Sequence, residues 1–316
     1  MIITSNQAVL VQGITGKQGS FWTERMLECG TRIVAGVSPS KGGQAVNGVP
    51  VYNSVADAVL DHAVDVSVLF TPPLVTKSAT LEALAAGIKK LVVLAEHVPY
   101  QDTMEFLAEA RDRGAQVVGP NTAGVVTPGQ ASVGILPGFA ANIFRPGNVG
   151  VISRSGSLGT LMCLNIVRAG FGQSAFIGIG GDPVIGTTTL DALRILDQDP
   201  RTDAVVIVGE VGGTMEEDAA AYISTMWKPV LAFIAGRTAP PGKRMGHAGA
   251  IVVGSRGSSE SKVTALARAG ARLLDTPSEV GPSLSAILGH REHCEEAHGS
   301  VPSLARGVVP RPLSRR

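Results

Sequence analysis

The sequence predicts an α/β protein of two domains, each built on a mostly parallel β-sheet that helices cover on both faces. One observation is length, because 316 residues exceed one ordinary domain and suit two. Another is the repeated alternation of short apolar runs with helix-compatible stretches, which is typical of parallel strands joined by helices. The 39 glycines and 19 prolines separate these runs and form no low-complexity tract, so tight loops are expected between the elements.

The first half of the chain alternates regularly from strand to helix. Strands are expected at 8–12, 32–37, 65–70, 90–95 and 115–118, and helices at 19–29, 54–61, 75–87 and 101–113. Ligands bind beyond the carboxyl ends of the strands in such sheets. The loops that follow the five strands are therefore the candidate binding loops.

The second half repeats the pattern after a Gly- and Pro-rich stretch that is only weakly periodic. We expect domains at 1–124 and 148–290, with a connection at 125–147 and a mobile tail at 291–316, where charge, Pro and Ser replace apolar periodicity. A strand opens the stretch 148–160 and a helix starts near Ser157. Further strands are expected at 174–179, 204–208, 229–234 and 272–274, and helices at 187–197, 215–226, 261–270 and 277–289.

Composition excludes several classes of function. A net charge of +1 provides no field for nucleic acid or membrane surfaces, and 4% aromatic residues provide no stacking platform for single strands. No apolar run approaches the roughly 18 residues of a membrane span, and the first residues do not form a secretory signal. Three widely separated cysteines argue against a disulfide framework and fit a reducing compartment. We expect a cytoplasmic protein without a metal site.

The stretch VQGITGKQGS (11–20) is a glycine-punctuated turn between a strand and a helix. A nucleotide P-loop fails here, because Val11 stands five residues before Gly16 and Gln18 follows Lys17. The dinucleotide fingerprint is also imperfect, because the glycines are spaced G-x-x-G-x-x-G. The strand–turn–helix position still predicts that backbone N–H groups face an anion.

The end of the second strand narrows the choice of ligand. VSPSKGG (37–43) contains Lys41 and no acid, whereas an NAD-binding domain places Asp or Glu there for the ribose hydroxyl. An extra phosphate on the adenosine end is therefore expected. NADP and coenzyme A (CoA) both carry one, and spacing does not separate them.

Longer motifs carry a resemblance to a known family. They are GITGKQG (13–19), SKGG (40–43), GPNTAGVVTPG (119–129), VGVISRSGSLG (149–159), IGIGGDP (177–183), GEVGG (209–213) and GKRMGHAGAI (242–251). Together, in order from about residue 7 to 289, they resemble the succinyl-CoA synthetase α subunit and the wider family of nucleoside-diphosphate-forming acyl-CoA synthetases. The resemblance implies a Rossmann-like CoA-binding domain followed by a flavodoxin-like ligase domain. It also implies a β subunit with an ATP-grasp fold, which holds ATP or GTP with Mg²⁺.

The implied reaction converts nucleoside triphosphate, a small carboxylic acid and CoA into nucleoside diphosphate, phosphate and acyl-CoA, through a phosphohistidine and an acyl phosphate. His247 matches the phosphorylated histidine, and Glu210 is similar to the glutamate that orients it. The implied CoA contacts are Thr15, Gly16, Lys17, Gln18, Lys41, Leu94, Ala95 and Glu96. The acyl substrate is expected at Asn121, Thr122, Ala123 and Thr160.

The chemistry agrees with these residue types. A nucleophilic His needs an acceptor that fixes one ring nitrogen, and Glu210 at the end of a strand can supply it. The phosphoryl group needs positive compensation, which Ser155, Gly156 and Ser157 provide at the start of a helix. The same serines also suit an ordinary N-cap, and the two roles are compatible.

The junction loop departs from the family pattern, and this puts succinate in doubt as the substrate. Succinate-specific relatives usually read G-P-N-C-P-G where this chain has Thr122 and Ala123, and they carry Tyr and Glu where it has Thr160 and Leu161. Malate, citrate or sulfoacetate is the hypothesis that these changes motivate. Two other functions stay open: an NADP-dependent oxidoreductase and a non-catalytic CoA-sensing module. The assembly, αβ or α₂β₂, also stays open.

Overall fold

The structure is a computed structural model that describes residues 1–237, 247–250 and 256–289. Strands and helices alternate through its first domain, as predicted. The elements are β1 (Val9–Gln12), α1 (Lys17–Glu28), β2 (Ile33–Val37), β3 (Ala45–Val46), β4 (Val49–Tyr52), α2 (Val55–Asp61), β5 (Val66–Leu69), α3 (Pro73–Ala85), β6 (Lys90–Val93), α4 (Tyr100–Asp112) and β7 (Gln116–Val118).

The first sheet has the order β3-β4-β2-β1-β5-β6-β7. All of its neighbouring strands run parallel except β3, which pairs antiparallel with β4. The chain leaves β1 toward β2 on one side and later returns to β5 on the other, so strand order reverses at β1. Ligands bind at such a reversal in open α/β sheets. The glycine turn that follows β1 lies at this point.

The second domain has its own sheet. Its elements are β8 (Gly124–Thr127), β9 (Ala131–Gly134), β10 (Pro146–Ser153), α5 (Gly156–Arg168), β11 (Gln173–Gly178), α6 (Thr189–Gln198), β12 (Ala204–Glu210), α7 (Met215–Ile223), β13 (Val230–Ala235), α8 (Ser259–Arg268), β14 (Arg272–Leu274), a 3₁₀ turn (Pro277–Glu279) and α9 (Val280–Leu288). Together the two domains confirm the predicted α/β class.

The stretch 125–147 differs from the expected simple connection. Strands β8 and β9 form an antiparallel hairpin that pairs with β11, so the second sheet has the order β14-β13-β12-β10-β11-β8-β9. Each hairpin strand has four residues, too few to show a period of two between the glycines and prolines that bound them. The second sheet therefore begins at Gly124, and no long linker separates the domains.

The two domains pack against each other through a buried junction. One cluster of buried apolar side chains includes Val11 of β1 together with Val133 of β9 and Ile177 of β11, so the core is continuous across the junction. The Thr31 hydroxyl donates to the Ser132 carbonyl at 2.8 Å and accepts from the Ser132 N–H at 2.9 Å. Buried polar groups paired in this way cost little desolvation energy and fix the register of the two domains.

The carboxyl ends of both sets of parallel strands carry the candidate site loops. Among the residues that the structure describes, no helix has both the length and the apolar character needed to cross a lipid bilayer. The expected tail at 291–316 lies outside the described residues.

Candidate functional site

The glycine turn brings three strand ends of the first domain together. Gly13 has φ 79° and donates its N–H to the Val37 carbonyl at 2.8 Å. A Cβ at Gly13 would lie 2.4 Å from the Phe70 carbonyl oxygen, and one at Gly19 would lie 2.2 Å from the Gly13 oxygen. Only glycine permits these approaches. The turn therefore closes tightly over the ends of β1, β2 and β5.

The first turn of α1 presents backbone N–H groups. The helix begins at Lys17, two residues before the predicted start, and its N-cap Gly16 has no side chain that could accept from them. The Thr15 hydroxyl bonds to the Ser38 hydroxyl at 2.9 Å, which ties the turn to the loop after β2. The Gln18 amide oxygen accepts from the Trp22 indole N–H at 3.1 Å. An uncapped helix start with a positive dipole end is suited to a phosphate group.

Two cavities lie at the strand ends, one of about 310 Å³ and one of about 260 Å³. The smaller cavity lies beside the glycine turn. Gly13, Val37, Phe70 and Pro72 line the smaller one, which we call the first-sheet crevice. Its apolar walls suit a purine ring. Lys41 is exposed on the loop after β2.

Leu94, Ala95 and Glu96 follow β6 at the same edge of the first sheet. Leu94 and Ala95 are half-buried and Glu96 is exposed. The Ala95 carbonyl accepts from the Asn121 N–H at 2.8 Å. The expected CoA contacts thus lie along one edge of one sheet, which leads from the glycine turn to the domain junction.

His247 and Glu210 form a close pair in the second domain. The His247 Nδ1 lies 2.8 and 2.9 Å from the two carboxylate oxygens of Glu210, the last residue of β12. The hydrogen bond that the Glu210 carboxylate accepts raises the pKa of His247 above its usual value, although burial of the ring acts in the opposite direction. With Nδ1 bonded to the carboxylate, the neutral imidazole presents Nε2 as its nucleophilic nitrogen.

The imidazole ring of His247 packs against the backbone of Gly181. A Cβ at this position would lie 2.4 Å from the His247 Cγ, so the ring packs directly on the backbone. The Gly181 carbonyl also accepts from the Gly249 N–H at 3.0 Å. The residue type at 181 therefore controls where the ring can lie.

The start of α5 opens into the same cavity as the histidine. Ser155 is the N-cap and accepts from the Leu158 N–H at 3.3 Å. The larger cavity, which we call the histidine cavity, has Ser155, Ser157, Glu210 and His247 in its lining. A helix N-terminus and a carboxylate-bound imidazole therefore face one space, as phosphoryl transfer to a nitrogen requires.

Two charged residues that the sequence analysis did not select adjoin this pair. Arg154, at the end of β10, places NH2 3.3 Å from the Glu210 Oε1 and donates from NH1 to the Gly212 carbonyl at 2.8 Å. Asp182 is 2% exposed and accepts from the Asn121 side-chain amide at 2.8 Å. Burial raises the pKa of Asp182, while the Asn121 hydrogen bond opposes the rise. The available signal was a charged residue close after an apolar strand: Arg154 follows β10 directly in SRSG, and Asp182 lies four residues after the end of β11 in GGDP.

The expected acyl-contact residues are only partly available for a ligand. The Thr122 hydroxyl donates to the Gly178 carbonyl and accepts from the Gly124 N–H at 2.9 Å, and the residue is 4% exposed. The Thr160 hydroxyl donates to the Gly156 carbonyl at 2.8 Å. Both hydroxyl protons are therefore used within the protein.

Ala123 and Asn121 face the junction more directly. A Cβ at Gly156 would lie 2.8 Å from the Ala123 Cβ, so Ala123 packs under the start of α5. Asn121 has φ 56° and its carbonyl accepts from the Gly181 N–H at 3.1 Å.

Within 1–237, 247–250 and 256–289, no group of three or more His, Cys, Asp or Glu side chains is arranged to hold a metal ion.

Comparison with known proteins agrees with this geometry. Residues 4–97 match the CoA binding domain family and residues 152–272 match the CoA-ligase family. The chain is 47% identical to the ADP-forming sulfoacetate-CoA ligase subunit SauD of Bilophila wadsworthia, over 92% of this chain and 99% of the relative. It is 49% identical to the ADP-forming succinate–CoA ligase subunit alpha 2 of Archaeoglobus fulgidus, over 91% of this chain and 99% of the relative.

A solved structure shows the same fold. ATP citrate lyase of Methanosaeta concilii, in complex with (3S)-citryl-CoA, aligns with a TM-score of 0.83 and 26% identity. The alignment covers 100% of this chain, which spans about half (54%) of the lyase chain.

A CoA-binding domain followed by a CoA-ligase domain defines a subunit of an acid–thiol ligase. The chain belongs to the family of α subunits of ADP-forming carboxylate–CoA ligases. The resemblance inferred from the motifs is thereby confirmed. The oxidoreductase does not account for the ligase domain, and the relatives that argue against the non-catalytic CoA sensor are subunits of ligases.

Proposed function

We propose that His247 carries a phosphoryl group between a nucleoside triphosphate and a carboxylic acid, with CoA as the final acyl acceptor. The observation that carries this proposal is the His247–Glu210 pair, which faces the start of α5 across one cavity. A phosphohistidine bears two negative charges near neutral pH. The N–H groups of α5 and the Arg154 guanidinium are the positive groups at hand to balance them.

The proposed steps balance with these residues alone. Nε2 of His247 attacks the terminal phosphorus, and nucleoside diphosphate leaves. Glu210 holds the Nδ1 proton and stabilises the cationic ring that forms. A carboxylate oxygen of the substrate then takes the phosphoryl group, which restores neutral imidazole and gives an acyl phosphate. The CoA thiol attacks the acyl carbon, its proton passes to the departing phosphate as the carbon–oxygen bond breaks, and acyl-CoA and inorganic phosphate result.

The CoA-binding residues are proposed from the first-sheet crevice. The N–H groups at Lys17 and Gln18 would hold the pyrophosphate beside Gly16, whose own N–H donates to the Gly13 carbonyl at 3.0 Å, and Lys41 would pair with the phosphate on the adenosine. Thr15 keeps the turn closed through Ser38. The end of β6 at Leu94, Ala95 and Glu96 would guide the pantetheine arm toward the junction.

We propose a small acid with a second anionic group as the substrate, and sulfoacetate, malate or citrate ahead of succinate. Relatives named for sulfoacetate and for succinate have nearly equal identity to this chain, 47% and 49%, so overall similarity does not decide between them. The local argument is volume. Thr160 is smaller than the Tyr usual in succinate-specific relatives, and its hydroxyl is bonded to Gly156. The first turn of α5 therefore offers space in place of a phenol donor.

A second subunit completes the proposed enzyme. The names of the relatives describe them as subunits, and the nucleotide site would lie on a β subunit with an ATP-grasp fold, in an αβ or α₂β₂ assembly. ATP or GTP would bind there with Mg²⁺.

The test is phosphate transfer from γ-³²P-labelled ATP to the full chain, assembled with the proposed β subunit. Wild type is expected to gain an acid-labile, base-stable label that is lost on adding substrate acid and CoA. His247→Asn is expected to gain none, and Glu210→Gln is expected to gain it more slowly. Labelled His247→Asn would refute the assignment of the histidine. A panel of acids assayed for CoA-dependent release of nucleoside diphosphate tests the substrate, and a much higher kcat/KM for succinate would refute our choice.

A further inference from the structure

A row of buried, oppositely charged side chains lies behind Glu210, and we call it the charge ladder. It comprises Arg154, Glu216, Lys262 and Glu217. Their side chains are 2%, 0%, 0% and 7% exposed, respectively. Burial of a charged group costs several kcal/mol unless it is paired, and here each charge neighbours one of opposite sign. The ladder connects the active pair to helices α7 and α8.

Arg154 stands between two carboxylates. Its NH2 is 3.3 Å from the Glu210 Oε1, and its NH1 is 3.7 Å from the Glu216 Oε1. Its NH2 and Nε make no aligned hydrogen bond within the described part of the chain, so the contact with Glu210 is a charge contact and not a two-point pair. NH1 donates to the Gly212 carbonyl at 2.8 Å and to the Glu210 carbonyl at 3.4 Å. The position of the guanidinium therefore depends on Glu216 as well as on Glu210.

Glu216 is itself fixed from two sides. Its Oε1 accepts from the Glu210 N–H at 3.4 Å, and its Oε2 accepts from the Lys262 ammonium. Lys262 also lies 3.3 Å from the Glu217 Oε2. Burial would raise the pKa of Glu217, but the Gly257 N–H and the charge of Lys262 lower it, so the outer end of the ladder is anionic near neutral pH.

We propose that Glu216 and Lys262 are positioning residues for phosphoryl transfer, because they hold Arg154 away from a two-point pair with Glu210. This inference rests on the proposed role of His247. Both Glu210 oxygens then stay within hydrogen-bond distance of the His247 Nδ1. If Glu216 lost its charge, Arg154 would close on Glu210, since Arg and carboxylate favour two parallel hydrogen bonds. Less of the carboxylate charge would then reach the imidazole.

The direction of the effect on His247 follows from the groups that face it. Glu210 raises the pKa of His247, Arg154 lowers it, and Glu96 raises it more weakly. Asp182 also lies close enough to interact with the ring electrostatically. A tighter Arg154–Glu210 pair would strengthen the lowering influence and weaken the main raising one. Loss of the ladder should therefore shift the titration of His247 to lower pH.

A purely structural role is the competing explanation, in which the ladder only fastens α7 and α8 to β12. Single substitutions do not separate the two, because Lys262→Met would leave the buried Glu216 with only the more distant Arg154, at 3.7 Å, to balance its charge. The pair Glu216→Gln and Lys262→Met removes both charges with little change in volume. Replacement of a buried ion pair by uncharged groups is often neutral for stability.

A matched control exists on the surface of the first domain. Lys77 and Glu105 form an ion pair of 2.6 Å between α3 and α4, remote from the histidine cavity. The pair Lys77→Met and Glu105→Gln makes the same two chemical changes there. It should alter neither the titration of His247 nor its phosphorylation.

The experiment has two readouts on the full-length chain. The rate of His247 modification by diethyl pyrocarbonate, mapped by mass spectrometry across pH, gives the titration midpoint without any turnover. The rate of ³²P incorporation with the β subunit present gives the catalytic consequence. For the ladder double variant we expect a lower midpoint and roughly tenfold slower labelling, the loss typical when a group that orients an active side chain is removed. The surface double variant should match wild type in both.

Each outcome bears on the proposal. A folded ladder double variant with the wild-type midpoint overturns it, whatever its labelling rate. If the double variant fails to fold, Glu216→Asp keeps the charge but shortens the side chain by one methylene, and a wild-type midpoint in that folded variant overturns it equally. If wild type takes up no label, the proposed function fails, and the modification midpoint still decides whether the ladder acts on His247.

Discussion

Gly181→Ala should slow phosphorylation of His247 without unfolding the protein. The added Cβ would lie 2.4 Å from the His247 Cγ and 2.7 Å from its Cδ2 and Nδ1. Ordinary contact begins near 3.4 Å, so the ring must move by about 1 Å. The nearest atoms to the new methyl group all belong to this one side chain, so the backbone need not shift.

The catalytic cost follows from that displacement. A shift of about 1 Å breaks hydrogen bonds of 2.8 and 2.9 Å to Glu210 or bends them out of line. Misplacement of a reacting group by about 1 Å typically costs on the order of 100-fold in rate. We expect that loss in the rate of ³²P incorporation from labelled ATP, measured by rapid quench with the β subunit present.

Two measurements complete this test. CoA affinity, measured by calorimetry, should equal that of wild type, because the first-sheet crevice is untouched. The Tm of Gly181→Ala should equal that of wild type, because the atoms nearest to the new methyl group belong to one side chain. A Gly181→Ala protein that phosphorylates at the wild-type rate would refute the view that this backbone sets the ring position.

Three further predictions concern other parts of the site. Glu210 raises the pKa of His247 in the folded protein above its unfolded value of about 6.5. The protonated ring therefore stabilises the fold fully below a pH of about 6.5, and this contribution is lost as the pH rises through the folded pKa. The Tm difference between wild type and His247→Asn should thus be largest at acid pH and should shrink on the alkaline side. Lys41→Ala should weaken CoA binding about tenfold by calorimetry, and the deficit should diminish at high salt, while His247 labelling is unchanged. Thr122→Val should lower the free energy of unfolding by about 1–3 kcal/mol in urea titrations, because it leaves the Gly124 N–H without its acceptor; a change confined to the KM of the acid would contradict this.

Much of the fold could be predicted because its strands are apolar on both faces and its helices alternate with them. The strands at β1, β2, β5 and β6 were each located to within two residues. The β8–β9 hairpin was missed, because its pairing with β11 is a contact over about 50 residues that leaves no local period. Short strands next to glycine are defined by their partners, and a sequence pattern does not show the partner.

The candidate site, like the fold, could be predicted from the sequence only in part. Motif resemblance selected His247 and Glu210, and the structure brings them together although 37 residues separate them. Thr122 was assigned a substrate contact from its place in the junction loop, and the structure shows that its hydroxyl also bonds to the backbone of Gly178 and Gly124. The role of Arg154 could not be predicted from its serine-rich turn, because the carboxylates that it contacts belong to β12 and α7, far along the chain.

The hydrogen bonds between the two domains have a consequence for how the substrates meet. Three backbone bonds run in series from Ala95 through Asn121 and Gly181 to Gly249, from the end of β6 to the segment that carries His247. Opening the domains like a hinge would break this series and expose the apolar core they share. The gap between the first-sheet crevice and the histidine cavity is thus a fixed length, which the pantetheine arm of CoA would span in the proposed binding mode.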